Sequence, residues 1–588
     1  MTNPAKFHDY RSGQGPIPDR QWLWPLYGAG FDRLGVEDRP IQAPVVHPGP
    51  DQLLVRHDAV GICFSDIKII KQGGSHPRLV GRDLAREPVV MGHEVSVTVV
   101  EVGANLRDQF RVGDRFAVQA DIYVNGKTMA YGYRLQGGYS QYAVIGDEIL
   151  HGDEGCYLLP VPDGLGYSES ALTEPWACVE AAYVIQYRRG LKPGGVAWFL
   201  GAGGDVPYTI SRKPDSGFDA DAHPARVILS DVPDALRQEL TARAAALGVE
   251  VIALDGLAPT QFDRVKAHVG AGGCDDIIAL APVAPEAIEA AATLLARGGI
   301  LNLVAAQPLP RPLALDVGRL HYDNITFVGS TGPDIAASYT PVRVELKPGG
   351  TALFAGAAGP MGHMHVQRAL QLPARPALVV ATNLRSPRIH DLAAKFAGLT
   401  QRQRVRLITR SQGDLAPSQF YAELRAITGG QGFDDVIACA ADVPSIEALD
   451  PVLADGAVVN LFAGLPRGTL ARLDVNSIIR RGVRYIGSSG STIADMLRVM
   501  AKAAEGQLSP DGSVAAVAGL CAVKEGLRAV AEGAFPGKIV IYPQILDLPL
   551  TPLSELPARL PQVAPHLEDE GRTWTAAAER ALLEALLP

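Results

Sequence analysis

Leu191-Lys192-Pro193-Gly194-Gly195 returns as Leu346-Lys347-Pro348-Gly349-Gly350, and that return decides how the 588-residue chain is read. The same landmarks follow each copy in the same order. Asp275-Asp276-Ile277-Ile278-Ala279 matches Asp434-Asp435-Val436-Ile437-Ala438, and Leu295-Ala296-Arg297-Gly298-Gly299 is echoed by Leu453-Ala454-Asp455-Gly456-Ala457. Gly329-Ser330-Thr331-Gly332 comes back as Gly487-Ser488-Ser489-Gly490. The separation stays near one domain length, too long for a solenoid repeat, so residues 191–344 and 345–490 read as a tandem duplication. Within each copy, strand-like runs alternate with Ala/Leu-rich helical patterns, the signature of parallel α/β units.

Residues 1–190 read differently. Segments such as Leu53-Leu54-Val55-Arg56 and Val95 to Val102 are apolar and β-branched, punctuated by Gly, Pro and Asp, which predicts a β-rich domain. After Gly490 a helical stretch leads to Phe535-Pro536-Gly537-Lys538-Ile539-Val540-Ile541, a turn and a strand. Residues 491–588 are therefore expected to return to the first domain. They end in an amphipathic run, Trp574 to Leu587, that serves packing or oligomerisation or lies as a frayed surface helix.

Composition bounds the function. Length suggests three or four domains at roughly 150 residues each, and 47% hydrophobic with 20% charged residues is ordinary for a globular chain. A net charge of −9 argues against nucleic acid or an anionic membrane as partner, since both need a basic face. The polar start MTNPAKFHDYRSGQG predicts no signal peptide, and the lack of long uncharged apolar runs predicts no membrane span. The six cysteines, Cys63, Cys156, Cys178, Cys274, Cys439 and Cys521, form no C-x-x-C pair. A reducing cytoplasm is expected.

One constellation carries chemistry. Gly61-Ile62-Cys63-Phe64-Ser65-Asp66 precedes Gly92-His93-Glu94. A thiolate, an imidazole and a carboxylate make a zinc-ligand set that leaves a position open for water or substrate. Asp66 could orient the histidine, and Ser65 could pass a proton between an alcohol and solvent. Against this, a lone cysteine in an apolar run is more often core than ligand.

These motifs resemble those of the zinc-containing medium-chain dehydrogenases, the alcohol and polyol dehydrogenase superfamily. Val100-Glu101-Val102-Gly103, Val112-Gly113-Asp114-Arg115-Phe116 and Gly137-Gly138-Tyr139-Ser140-Gln141-Tyr142 extend the match in the family's order. The resemblance implies an α/β protein, with a GroES-like β-rich catalytic domain and two tandem Rossmann-type doubly wound parallel sheets. It implies that Cys63 and His93 are zinc ligands and that Glu94 is either a ligand or a neighbour that swaps with water. Glu174, in Ala171-Leu172-Thr173-Glu174-Pro175, falls where polyol dehydrogenases carry an acid and becomes the fourth candidate, with Cys178 the weaker alternative. No cysteine lies between residues 105 and 135, where many relatives hold a structural zinc, so one zinc per chain is expected.

The two copies differ at their glycine loops. In the second, Gly356-Ala357-Ala358-Gly359-Pro360-Met361-Gly362 sits between a strand and a helix, close to the family's phosphate-binding turn. The cofactor candidates are Gly356, Ala358, Gly359, Pro360, Met361 and Gly362, with Phe462 and Ala463 near the nicotinamide. In the first, Gly201-Ala202-Gly203-Gly204-Asp205-Val206-Pro207 carries an acid and a proline, and an Asp/Gly/Pro-rich stretch follows. This loop reads as degenerate. The first copy keeps an acid, Asp231, where NAD's ribose is normally held. The second has Asn383, with Arg385 and Arg388 nearby, which tilts NAD(P) specificity toward NADP.

The resemblance thus implies hydride transfer between NAD(P) and a polyol, ketose or sugar phosphate, with Ser65, Asp66 and Glu94 in catalytic roles. Lys68, Lys71, His76, Arg78, Arg82 and Arg86 cluster between the metal motifs and could hold a phosphate, although charge runs are usually solvated faces. Two alternatives stay open: a dehydrogenase of simple or aromatic alcohols, and a non-catalytic nucleotide-binding sensor or scaffold. The partners expected are a small-molecule substrate and further copies of the chain, as a dimer or tetramer.

Overall fold

The computed structural model describes residues 4–211, 216–384, 386–413, 415–440 and 442–588. An eight-stranded sheet organises the first domain. Its centre is Leu53–Gly61, paired antiparallel to Glu94–Val102 on one side and to Lys538–Tyr542 on the other. All nine residues of Leu53–Gly61 are buried, as expected for a strand covered on both faces. Lys538–Tyr542 pairs in turn with Val514–Gly519. The chain therefore leaves this sheet, builds the two α/β copies, and returns to complete it.

Each copy forms a six-stranded parallel sheet with the same order. In the first, Glu250–Ala253, Arg226–Ser230, Val196–Leu200, Cys274–Leu280, Leu295–Val304 and Thr326–Ser330 lie side by side. In the second the order is Arg406–Ser411, Leu378–Asn383, Thr351–Ala355, Phe433–Ala438, Leu453–Leu461 and Arg484–Ile486. Numbered along the chain, both read 3-2-1-4-5-6, the doubly wound dinucleotide-binding order. The repeated sequence landmarks touch one another. Lys192 reaches Asp275 at 2.6 Å and its amide donates to Asp276 at 2.9 Å, while Lys347 reaches Asp434 at 2.6 Å and its amide donates to Asp435 at 2.8 Å. The Lys-Pro-Gly-Gly turn and the Asp-Asp strand start thus recur as a contacting pair.

The copies join through an internal two-fold. Leu313–Asp316 of the first pairs antiparallel with Leu470–Leu473 of the second. Ala314 faces Arg472, its own sequence counterpart, so the pseudo-axis passes between them. Leu301, Leu315 and Leu320 share one apolar core with Val459, Leu473 and Ile478.

The copies diverge after their first strands. Gly359 and Pro360 open the helix Pro360–Gln371 in the second. Among the described residues no helix stands between Leu200 and Arg226 in the first. Tyr208, Ile210 and Phe218 cover the sheet face there, packed with Phe199 and Ile278. An exposed apolar face must be buried by something, and these side chains take over from a helix.

The helix Ala576–Leu586 docks on the helix Tyr167–Ala181, and Trp574 is fully buried. The Glu579 carboxylate accepts from the Tyr167 and Ser168 amides at 2.6 and 2.7 Å, capping two of the donors that a helix start leaves unpaired. No described helix is long and apolar enough to cross a membrane.

Candidate zinc and dinucleotide site

Strand pairing assembles the metal candidates. Gly61 and Glu94 are register partners across the antiparallel pair, so the residues after one strand meet those before the other. Cys63 caps the helix Phe64–Gln72 in an extended conformation. Donor atoms of Cys63, His93 and Glu94 all lie within 4.8 Å of one another. Gly61 has a local reason: any Cβ there would collide with the Glu94 carboxylate.

Around this trio the polar groups are ordered. His93 Nδ1 faces Asp66 Oδ1 at 3.4 Å, and Ser65 Oγ lies 3.3 Å from His93 Nε2. Asp66 Oδ2 accepts from Tyr139 OH at 2.7 Å and from the Cys63 amide at 3.2 Å. Burial pushes the His93 pKa down, but the Asp66 carboxylate and Cys63 together raise it well above the usual histidine range. Glu94 Oε1 accepts from Lys538 Nζ at 2.5 Å, and Glu94 Oε2 is buried with no partner among the described residues. Lys538 also donates to the Ile62 carbonyl at 2.9 Å. A sulfur, a nitrogen and an orphaned oxygen converging at this spacing suit a zinc ion.

Glu174 stands outside the trio, half-buried on the helix Tyr167–Ala181. Burial, with help from Glu94 and Asp121, pushes its carboxyl up to about 7 against the pull of His93 and Lys538. Cys178, one turn further along that helix, has its thiol raised by burial and by Glu174. Of the basic cluster, Arg78 is paired with Asp121 at 2.5 Å, and Arg82 is spent on the carbonyls of Glu87, Tyr133, Arg134 and Pro88. Lys68 remains exposed, with no ion pair among the described residues. Lys538 is the residue that sequence reasoning missed; the only signal was a lysine opening the returning strand.

At the second copy's loop the glycines divide their tasks. Gly356 adopts φ 77°, and a Cβ there would stand 2.7 Å from that of Ala440, so the turn needs glycine. Gly362 lies where a Cβ would come within 2.6 Å of the Ala357 backbone, letting helix and loop pack closely. Beside Gly359 there is nothing within 4 Å. That open space at a helix N-terminus is where a pyrophosphate can approach unpaired amides. Ala358 is buried beneath the loop. Pro360 and Met361 border a cavity of about 130 Å³ that also touches Cys63, Lys538 and Arg388. Cys63 and the start of the phosphate-loop helix therefore line one cavity.

Asn383 ends its strand opposite Ser411, and Arg388 donates to the Glu532 carbonyl at 3.2 Å. Arg385 lies outside the described residues. Phe462 packs its ring 4.3 Å from that of His365, and the Ala463 amide donates to Ala438. In the first copy, Asp231 is turned to its own loop, where its carboxylate accepts from the Gly256 amide at 3.0 Å.

Comparison with known proteins agrees with this architecture. Residues 49–152 match the alcohol dehydrogenase GroES-like domain family. The chain is 30% identical over 302 residues to mannitol-1-phosphate 5-dehydrogenase of Aliivibrio fischeri, covering 48% of this chain and 69% of that one. It is 32% identical over 327 residues to the uncharacterized protein YggP of Escherichia coli, covering 52% and 73%. With L-sorbose 1-phosphate reductase of Klebsiella pneumoniae it shares 26% over 299 residues, covering 48% and 70%. The chain belongs to the zinc-dependent medium-chain alcohol and polyol dehydrogenase family, and is an oxidoreductase.

Proposed function

We propose that this chain interconverts a polyol or polyol phosphate with the corresponding ketose, using NAD(P) held by the second α/β copy. The observation that carries this is the single cavity shared by Cys63 and the Pro360–Met361 helix start. The polyol preference rests on the relatives, two of which are named for polyol or ketose phosphates. The missing acid at Asn383 favours NADP, since a 2′-phosphate meets no carboxylate there.

Cys63 and His93 would hold the zinc, with Glu94 Oε2 or Glu174 completing the set, directly or through water. Bound zinc would supply Lewis acidity, and bound NAD(P) the hydride acceptor. The chain's own residues do the rest. Asp66, fixed by Tyr139, orients the His93 ring from Nδ1. Ser65 Oγ stands beside the donor trio and would relay the substrate's hydroxyl proton, accepting it while passing its own to solvent. Phe462 and Ala463, just past the strand Leu453–Leu461, would lie near the nicotinamide.

The test is metal analysis of the purified chain with coupled assays on polyols and their phosphates, comparing NAD with NADP. We expect about one zinc per chain, as for a single catalytic site, and faster turnover with NADP. Reduction of neither cofactor across the panel would overturn the proposal.

A further inference from the structure

Among its described residues the first copy has no phosphate loop helix, yet it presses a short helix, Val317–Asp323, against the functional end of the second copy. Two glycines permit this. A Cβ on Gly318 would collide with the Pro466 carbonyl, and one on Gly487 would stand 2.7 Å from the Leu320 carbonyl. The approach delivers His321 and Tyr322 to the segment that follows Leu453–Leu461. A Cβ on Gly464 would lie 3.1 Å from Tyr322 OH and 3.6 Å from His321 Nε2. The His321 ring sits 6.4 Å from Phe462, edge to face. Lys68, one helical turn beyond Ser65 on Phe64–Gln72 and so on the same face, lies close enough for its charge to act on His321.

His321 has only 9% of its surface exposed, and its Nδ1 has no partner among the described residues. The Leu461 carbonyl lies beside the ring and partly offsets the effect of burial. Burial, the larger effect, and the charge of Lys68 push its pKa down to about 4. An unpartnered ring nitrogen can pair with a hydroxyl, which both donates and accepts.

The internal two-fold supplies a control. Leu315-Asp316-Val317 aligns with Leu473-Asp474-Val475, so His321 and Tyr322 correspond to Ile479 and Arg480. Ile479 packs on Gly329 of the first copy as ordinary core, and Arg480 donates to the Ala306 carbonyl at 2.7 Å. The half of the interface facing the degenerate loop is filled by an aliphatic side chain and a tied-down arginine. The half facing the intact copy carries a buried, unpartnered imidazole nitrogen and a phenol.

We propose that the first copy belongs to the substrate site: His321 and Tyr322 hydrogen-bond hydroxyls of a polyol chain whose reacting end lies at Cys63, and Lys68 binds an anionic terminal phosphate. This rests on the polyol phosphate reading above and names the residues that would select for it. An unpaired buried polar atom discriminates strongly between ligands that can and cannot satisfy it.

The experiment is calorimetric titration of the full-length, zinc- and NADP-loaded enzyme with mannitol 1-phosphate and with mannitol. His321→Ile copies the counterpart position and so preserves packing; Tyr322→Phe removes one hydroxyl; Lys68→Gln removes one exposed charge. His321→Ile is expected to weaken both probes about tenfold or more, the scale of one lost buried hydrogen bond, with zinc content and NADP affinity unchanged. Lys68→Gln should weaken mannitol 1-phosphate alone. Equal affinities in wild type, His321→Ile and Tyr322→Phe overturn the inference, as does a wild type that binds neither probe. Turnover across the wider polyol panel is read separately: activity there with unaltered variants leaves the proposed function standing and removes only this inference.

Discussion

Lys538→Met is the perturbation whose outcome the structure fixes most closely. Lys538 is buried, donates to Glu94 Oε1 at 2.5 Å and to the Ile62 carbonyl at 2.9 Å, and faces the cavity beside Cys63. Methionine matches its bulk but leaves the fully buried Glu94 without its cation. Breaking a buried pair from one side costs about 3–5 kcal/mol, most of it the stranded charge. A zinc ion held by Cys63 and His93 would stand next to the Glu94 oxygen that is already unpaired. If it returns about half the loss, about 2 kcal/mol, linkage requires zinc to bind roughly thirtyfold more tightly to the variant, at about 1.4 kcal/mol per tenfold. Urea unfolding with chelator and with saturating zinc, together with a competitive zinc titration, measures both sides of the cycle. The expected result is a large loss of stability without metal, a smaller one with it, and tighter zinc binding. Equal losses in the two states, with unchanged zinc affinity, would refute the argument that Lys538 neutralises a carboxylate belonging to the metal site.

Other expectations follow from the same geometry. Cys63→Ser and His93→Ala should each empty the site, seen as zinc content falling toward zero by elemental analysis, because either change leaves at most two of the clustered donors. Gly359→Leu places a side chain in open space at the helix start, so folding should be unaffected while NADP affinity drops about a hundredfold; Ala202→Leu, at the exposed loop of the first copy, should leave it unchanged. Lys395 is buried and donates to the Val514 carbonyl, and burial lowers its ammonium pKa to about 7, with Asp569 opposing. The unfolded lysine still holds its proton up to about 10.4. Between these values the unfolded state binds more protons, so stability should climb with pH by up to about 1.4 kcal/mol per unit. Lys395→Met should flatten that climb in urea melts from pH 7 to 9.

Much of this was legible because adjacent landmarks are also contacts. The Lys-Pro-Gly-Gly turn and the Asp-Asp strand start recur together since each lysine bonds its aspartates. Cys63 and His93 were legible as partners through the Gly61–Asp66 and Gly92–Glu94 motifs, and the antiparallel register of Gly61 with Glu94 brings them together. The rest depended on long-range register. Lys538 reaches Glu94 only because the returning strand pairs with Gly61, which no local pattern signals. The loss of the first copy's helix was visible in its prolines, but the cover supplied by Tyr208 and Phe218 was not. Glu174 matched a motif, yet its place outside the donor trio follows from how its helix packs on the sheet. Nor did the separation of the copies suggest that the strands Leu313–Asp316 and Leu470–Leu473 would meet about an axis.

That axis has a consequence for how the seam can age. When two separate identical chains meet about a two-fold, each substitution appears on both sides at once, and a change good for one side must be tolerable on the other. Here both sides are written in one polypeptide, so each residue drifts alone. Ala314 can stay small while Arg472 opposite it becomes long and charged. The tether also sets a local concentration on the order of millimolar for the two halves, whatever the concentration of the protein. Dilution that would dissociate a pair of independent chains leaves this seam closed.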